Sequence, residues 1–141
     1  MFLTLAAAVV AAGQSFTCTP THVWDGDGPI WCAEGPHLRI SGIAAREMDG
    51  TCRTNQPCPP ATALQARDRL VSLFGGSRGT IPTGHVIVSA PAMHCRSEGS
   101  AGGSRTAAWC TLASGADLSC AMVRTGTVLR WDRYWKNHLC R

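Results

Sequence analysis

Apolar and polar positions alternate over His37-Leu38-Arg39-Ile40-Ser41-Gly42-Ile43. A period of two marks a strand with Leu38, Ile40 and Gly42 on one face and Arg39 on the other. Phe16 to Trp24 is also extended, with Phe16, Cys18 and Val23 among polar residues; Pro20 lacks a backbone donor and predicts an edge position or a bulge. Asp25-Gly26-Asp27-Gly28 supplies turn chemistry, and Ile30 to Ala33 returns as a short strand. These segments predict a β-meander. The pattern changes period over Thr62 to Phe74, where Ala63, Ala66, Leu70 and Phe74 recur at helical spacing. Thr62 and Gln65 match a capping box there, and Gly75-Gly76 gives the stop.

Further strands are predicted over His85 to Ala90 and Arg105 to Leu112, joined as a long-looped hairpin through the flexible segment Ser97 to Ser104. Asp117 to Thr125 reads as a short helix with Leu118, Ala121, Met122 and Thr125 on one face, ended by Gly126. Asp49 to Pro60 is a loop too polar to pack unaided. Trp131 to Arg141 forms an aromatic and basic tail that Cys140 pins to the body. Three strands, a helix, two strands and a helix predict an α+β domain. The order suits a five-stranded barrel of the OB type with two or three helices, although composition alone does not separate it from other α+β folds.

The length of 141 residues bounds this at one domain, and 45% apolar content excludes wholesale disorder. Met1 to Gly13 carries no charged side chain and is shorter than a membrane span. It reads as a secretory leader, bounded at residues 1–15 with cleavage before Gln14 and the folded domain over 16–141. No stable membrane partner is expected of a monomer exported to the periplasm or beyond. Eight cysteines, with no pair spaced tightly enough for zinc, predict disulfides. Cys52 and Cys58 are placed to close their own loop, and Cys95 and Cys110 to face each other across the hairpin. The order of pairing among Cys18, Cys32, Cys120 and Cys140 stays open. A net charge of +4 permits an anionic partner without demanding one. The histidines, His22, His37, His85, His94 and His138, lack metal-ligand spacing and are read as non-catalytic. The five tryptophans are read as packing residues.

Two segments carry more specific information. Val23-Trp24-Asp25-Gly26-Asp27, followed by His37-Leu38-Arg39-Ile40-Ser41-Gly42-Ile43-Ala44-Ala45-Arg46-Glu47, resembles the thermonuclease (staphylococcal-nuclease-like) family. That family has a V-x-D-G-D-T turn and then R-L-x-G-I-D-A-P-E. Ser104 to Trp109 and Asp117 to Gly126 resemble its later hairpin strand and helix, so the likeness covers residues 18 to 130 in element order. It implies an OB barrel carrying a calcium-assisted phosphodiesterase site. Carried over, Asp27 is a metal ligand, Arg39 and Arg105 hold phosphate, and Glu47 positions or activates water. The departures lie in the site. Ala44 stands where the family has a second calcium-binding Asp, Arg46 replaces the Pro and Gly28 the Thr. Ala45 keeps the small residue whose carbonyl can face the metal.

This residue set matches what phosphodiester hydrolysis requires. A divalent cation and guanidinium groups neutralise charge, and the planar fork of Arg binds two phosphate oxygens together. A carboxylate orients water or takes its proton. The expected function is therefore hydrolysis of DNA or RNA with Ca²⁺, weakened by Ala44 and Arg46. A catalytically degenerate OB-fold module that binds nucleic acid or phosphate is the first alternative. A cell-envelope structural domain stapled by disulfides is the second.

Overall fold

The structure, a computed structural model, describes residues 7–140. Its strands are β1 (Ser15–Cys18), β2 (Pro20–Val23), β3 (Ile30–Cys32), β4 (His37–Ile40), β5 (Ile43–Ala44), β6 (Val86–Ile87), β7 (Met93–Ser100), β8 (Arg105–Thr111) and β9 (Leu129–Arg130). The helices are α1 (Ala63–Leu73), α2 (Leu118–Arg124) and α3 (Asp132–Trp135). Seven strands form one sheet in the order β1-β7-β8-β4-β3-β2-β6, and β5 pairs with β9 in a second. The class is α+β, but the expectation of five strands is corrected.

The sheet curls because one continuous chain segment serves it at two distant places. Only Thr19 separates β1 from β2, yet β1 pairs with β7 and β2 with β3. The register shifts between Pro20 and His22, so Pro20 marks the predicted bulge. A proline cannot donate to the ladder, and the irregularity redirects the strand from one partner to the other. The meander β2-β3-β4 forms as predicted, and β4 then pairs in parallel with β8. The predicted single strand over residues 37 to 43 stops at Ile40; Ser41 and Gly42 turn the chain into β5.

The hairpin is also corrected. β8 pairs with β7, not with the segment around residues 85 to 90, and Ser97 to Ser100 belong to the strand. His94↔Thr111 and Cys95↔Cys110 set its register. Alternate β7 residues Met93, Cys95 and Ser97 are buried, so small polar residues that looked like a linker are held by the ladder and the curled sheet. β6 is only two residues long and pairs with β2 at the sheet edge.

Helix α1 starts at Thr62 with the predicted reciprocal capping box and buries Ala63, Ala66, Leu70 and Val71. Ala66 meets the Asp25–Gly28 turn so closely that a Cβ on Gly26 would lie 2.5 Å from its own Cβ. The helix thus fixes the turn that carries Asp27. In α2 the buried residues are Leu118, Ser119, Cys120 and Met122, and Ala121 is only half-buried. Cys120 is tethered to Cys140, and Ser119 Oγ donates to the Ser41 carbonyl, which rotates the helix from its predicted face.

All eight cysteines pair as Cys18–Cys32, Cys52–Cys58, Cys95–Cys110 and Cys120–Cys140. Cys18–Cys32 ties β1 to β3 across the bulge, and Cys120–Cys140 anchors the tail to α2. Residues 1–6 of the expected leader lie outside the described residues. The Val10 N–H donates to Thr106 Oγ1, Ser97 Oγ donates to the Val10 carbonyl, and the Gly13 N–H donates to the Ser97 carbonyl. The end of that segment is therefore built into the β7–β8 hairpin. No helix among the described residues is long and apolar enough to cross a membrane.

Candidate functional site

Asp27, Arg39, Glu47 and Arg105 come from four separate places in the chain and line one cleft of about 800 Å³. Asp27 sits in the turn between β2 and β3. Its carbonyl accepts the Ile40 N–H, which clips the turn to β4. Gly28 closes that turn with φ +112°, and a Cβ there would lie 2.5 Å from the Leu38 carbonyl oxygen. A threonine at this position would need a strained backbone and would strike β4.

Arg39 projects from the outward face of β4, opposite the buried Leu38 and Ile40. Its Nη2 lies 3.2 Å from Asp27 Oδ2 and also donates to the Ile43 carbonyl; Nη1 donates to the Ile40 carbonyl. The Ala45 N–H donates to the same Asp27 oxygen. The guanidinium is thereby locked in one orientation, with its carbon 5.7 Å from the centre of the Trp131 ring. Arg105, at the start of β8, donates from Nη2 to the Ala101 carbonyl, so the hairpin turn orients it.

Asp25 is only 2% exposed beside Asp27, and its Oδ1 accepts the Asp27 N–H. Burial, then the negative charge of Asp27 and a side-chain hydrogen bond between the two, push the Asp25 carboxyl up to about 8, with Glu47 adding to the rise. Two carboxyls crowded into a buried turn repel each other, and here a proton on Asp25 relieves the repulsion. Glu47 Oε1 is ion-paired to Arg53 Nε at 3.1 Å.

Ala44 is fully buried and pairs with Leu129 in the β5–β9 ladder, so it offers the cleft no side-chain oxygen. The Ala45 carbonyl accepts a hydrogen bond from Gln56 Nε2 at 3.1 Å. Arg46 donates to the carbonyls of Gly50 and Pro59, bracing the disulfide loop. Ser41, another cleft residue, is 4% exposed, and its Oγ has no hydrogen-bond partner among the described residues.

Several lining residues escaped the sequence reading. Arg53 and Gln56 reach the cleft from the loop closed by Cys52–Cys58, and Trp131, Tyr134 and Lys136 reach it from the tail. The signal for Arg53 was a basic residue beside a cysteine in a short cystine loop. The tail's aromatic and basic composition is visible in the sequence, and the structure brings Trp131, Tyr134 and Lys136 to the cleft where packing alone is expected of the tryptophans. Trp131 and Tyr134 meet edge-to-face at 4.8 Å and form one wall; Trp24 and His85 form another. Trp109 and Trp135, by contrast, pack edge-to-face against each other.

Among the described residues, ligand atoms of Asp117, Cys120 and His138 lie within 4.8 Å of one another. None of the three lines the cleft, and Cys120 is committed to its disulfide. No protein-family model, curated protein or solved structure matches this chain.

Proposed function

We propose that this protein is an exported phosphodiesterase of the thermonuclease type, cutting nucleic acid with the help of a divalent cation. The observation that carries the reading is the lining of a single cleft by Asp27, Arg39, Glu47 and Arg105. Two guanidinium groups at one cavity give the charge and fork geometry that a phosphodiester calls for. Trp131 and Tyr134 add aromatic surface at which a nucleobase stacks. The strand order supports a barrel of the OB type. The meander β2-β3-β4 is followed by the parallel pair β4–β8, the hairpin β8–β7 and the closing pair β7–β1. The four disulfides fit an oxidising compartment.

A hard cation such as Ca²⁺ suits the acidic, all-oxygen donors of the turn. Asp25 lies beside Asp27 in the turn, where it would offer the second carboxylate that Ala44 lacks once a cation displaces its proton. Asp25 and Asp27 would hold the ion, which supplies charge neutralisation to the phosphoryl oxygens. Arg39 and Arg105 bind the phosphate. Glu47 orients the attacking water and accepts its proton once Arg53 turns to the substrate.

The test is release of acid-soluble nucleotides from single-stranded DNA or RNA by the oxidised protein, with Ca²⁺ and with chelator. Product that forms equally in chelator, or equally with Glu47→Gln and Arg105→Ala, sinks the reading. One observation favours a second reading, a phosphate-binding module without turnover: Arg39 already occupies the Asp27 oxygen that would face a cation. Tight, salt-sensitive oligonucleotide binding without products selects that alternative.

A further inference from the structure

One row of side chains crosses four strands on the outward face of the sheet and begins at a cleft arginine. Arg105 on β8 is the register partner of His37 on β4. His37 is the partner of Trp31 on β3, and Trp31 of His22 on β2. Residues in register on neighbouring strands share a face, and strands lie about 4.8 Å apart, so the row runs about 14 Å from Arg105. The burial pattern of β4 agrees, with Leu38 and Ile40 inside and His37 and Arg39 partly exposed.

The row is a cluster rather than a chance alignment. His37 stacks on Trp31 with ring centres 5.0 Å apart and planes inclined by 11°. His22 lies 5.1 Å from the same indole. His85, from the loop before β6, lies 4.3 Å from Trp31 and 4.9 Å from Trp24, so it bridges the row to the cleft wall. Thr21 Oγ1 engages His22 Nδ1 and Thr83 Oγ1 engages His85 Nδ1, which leaves both Nε2 atoms free of those contacts.

The charged groups around the cluster are mostly cationic. Arg39 and Arg105 lie on the neighbouring strands β4 and β8, Arg105 in register with His37, with their guanidinium groups held by Asp27 and by the Ala101 carbonyl. Arg67 of α1 donates to the Gly84 carbonyl beside His85. Glu34, from the β3–β4 turn, is held by the Thr19 N–H and hydroxyl, and Asp25 is buried beyond Trp24. Burial keeps His37 and His85 below the ordinary imidazole range, His85 also through His22 and His37. Burial and mutual repulsion therefore disfavour the charged forms of His37 and His85, so acidification is what brings charge to them.

We propose that the row Arg105–His37–Trp31–His22, with His85, is a track for single-stranded polynucleotide leaving the cleft, strengthened at acid pH. Imidazolium groups meet the phosphates and the indole meets an unpaired base, the combination of charge and stacking that single strands require. This inference rests on the nucleic-acid reading of the cleft and goes beyond it.

The test measures binding of a labelled oligothymidylate of about 16 nucleotides, in chelator, at about pH 5.5 and about pH 8. A thymidine dinucleotide that fits within the cleft serves as the control. The long strand is expected to tighten roughly tenfold more than the dinucleotide on acidification, as added phosphate contacts release counterions. The variant His22→Gln/His37→Gln should lose that gain and keep the dinucleotide affinity. Its thermal midpoint at alkaline pH checks that it folds. A long strand indifferent to pH, or a gain that survives the double substitution, overturns the track. Absence of cleavage with Ca²⁺ alongside an intact acid gain fells the enzymatic reading and leaves the track standing.

Discussion

Arg39 and Asp27 form a largely buried ion pair, Nη2 to Oδ2 at 3.2 Å, with both side chains less than a fifth exposed. The pair joins β4 to the turn before β3, and the Ala45 N–H completes the coordination of the carboxylate. Under the proposed function, the guanidinium that would bind phosphate also neutralises the acid that would face the cation.

Removing that guanidinium leaves the buried Asp27 carboxylate with only the Ala45 N–H on Oδ2 and takes a donor from the Ile40 and Ile43 carbonyls. Arg39→Ala should therefore lower unfolding stability by about 3 kcal/mol, the scale for breaking a buried pair. Arg39→Lys keeps the charge and should cost less, but it loses the fork. Urea denaturation checks the order. An Arg39→Ala protein as stable as the parent would mean that the pair contributes nothing to folding.

Glu47 is different. Its partner Arg53 is largely exposed, so the ion pair is worth less than about 1 kcal/mol. Glu47→Gln should leave the thermal midpoint nearly unchanged while lowering cleavage by about a hundredfold or more. A parallel fall in stability and activity would indicate a structural role instead.

The stability of the fold should depend on pH in two opposite ways. Asp25 is raised from 3.8 to about 8. A raised folded value means that its contribution is complete below the unfolded value and is lost as pH rises through about 8. His37 and His85 are lowered from 6.5 by burial. Their contribution is complete above that value and is lost as pH falls through their folded values. Between pH 6.5 and 8 the Asp25 contribution should therefore dominate, with stability declining. Asp25→Asn should flatten this alkaline decline, measured by denaturation at each end of the window. A decline that persists undiminished in the variant would assign it to another group.

The Cys52–Cys58 bridge closes a short loop, so its removal should cost about 2 kcal/mol on the loop-entropy scale. The larger effect is expected in the cleft, because the bridge holds Arg53 against Glu47 and Gln56 against the Ala45 carbonyl. Cys52→Ser/Cys58→Ser should weaken dinucleotide binding severalfold with the rest of the fold intact. Unaltered binding would show that Arg53 reaches no ligand.

Much of this was legible along the chain because it is local. The capping box at Thr62 and Gln65 formed as read, since both partners lie within one helical turn. Period-two alternation put Leu38 inside and Arg39 outside, and Pro20 marked a bulge, because each is a property of a few adjacent residues. The extent of β7 was not legible. Ser97, Gly99 and Ser100 carry no strand propensity, and only pairing with Ala108, Ala107 and Thr106 makes them a strand.

The sequence by itself determined an α+β chain, a helix from its caps, a meander from its alternation and an even set of cysteines. Tertiary structure decided the distant partners: which strand borders β8, how Cys18, Cys32, Cys120 and Cys140 pair, and which distant groups share the cleft, whereas Cys52–Cys58 and Cys95–Cys110 form as the sequence predicts. Asp25 acquired its character only when α1 and the sheet removed water from it and set Asp27 alongside. The tail became a cleft wall only when Cys120–Cys140 folded it back. Short-range conformational preference is written in neighbouring residues, whereas desolvation and charge proximity depend on contacts that exist only after the chain has closed on itself.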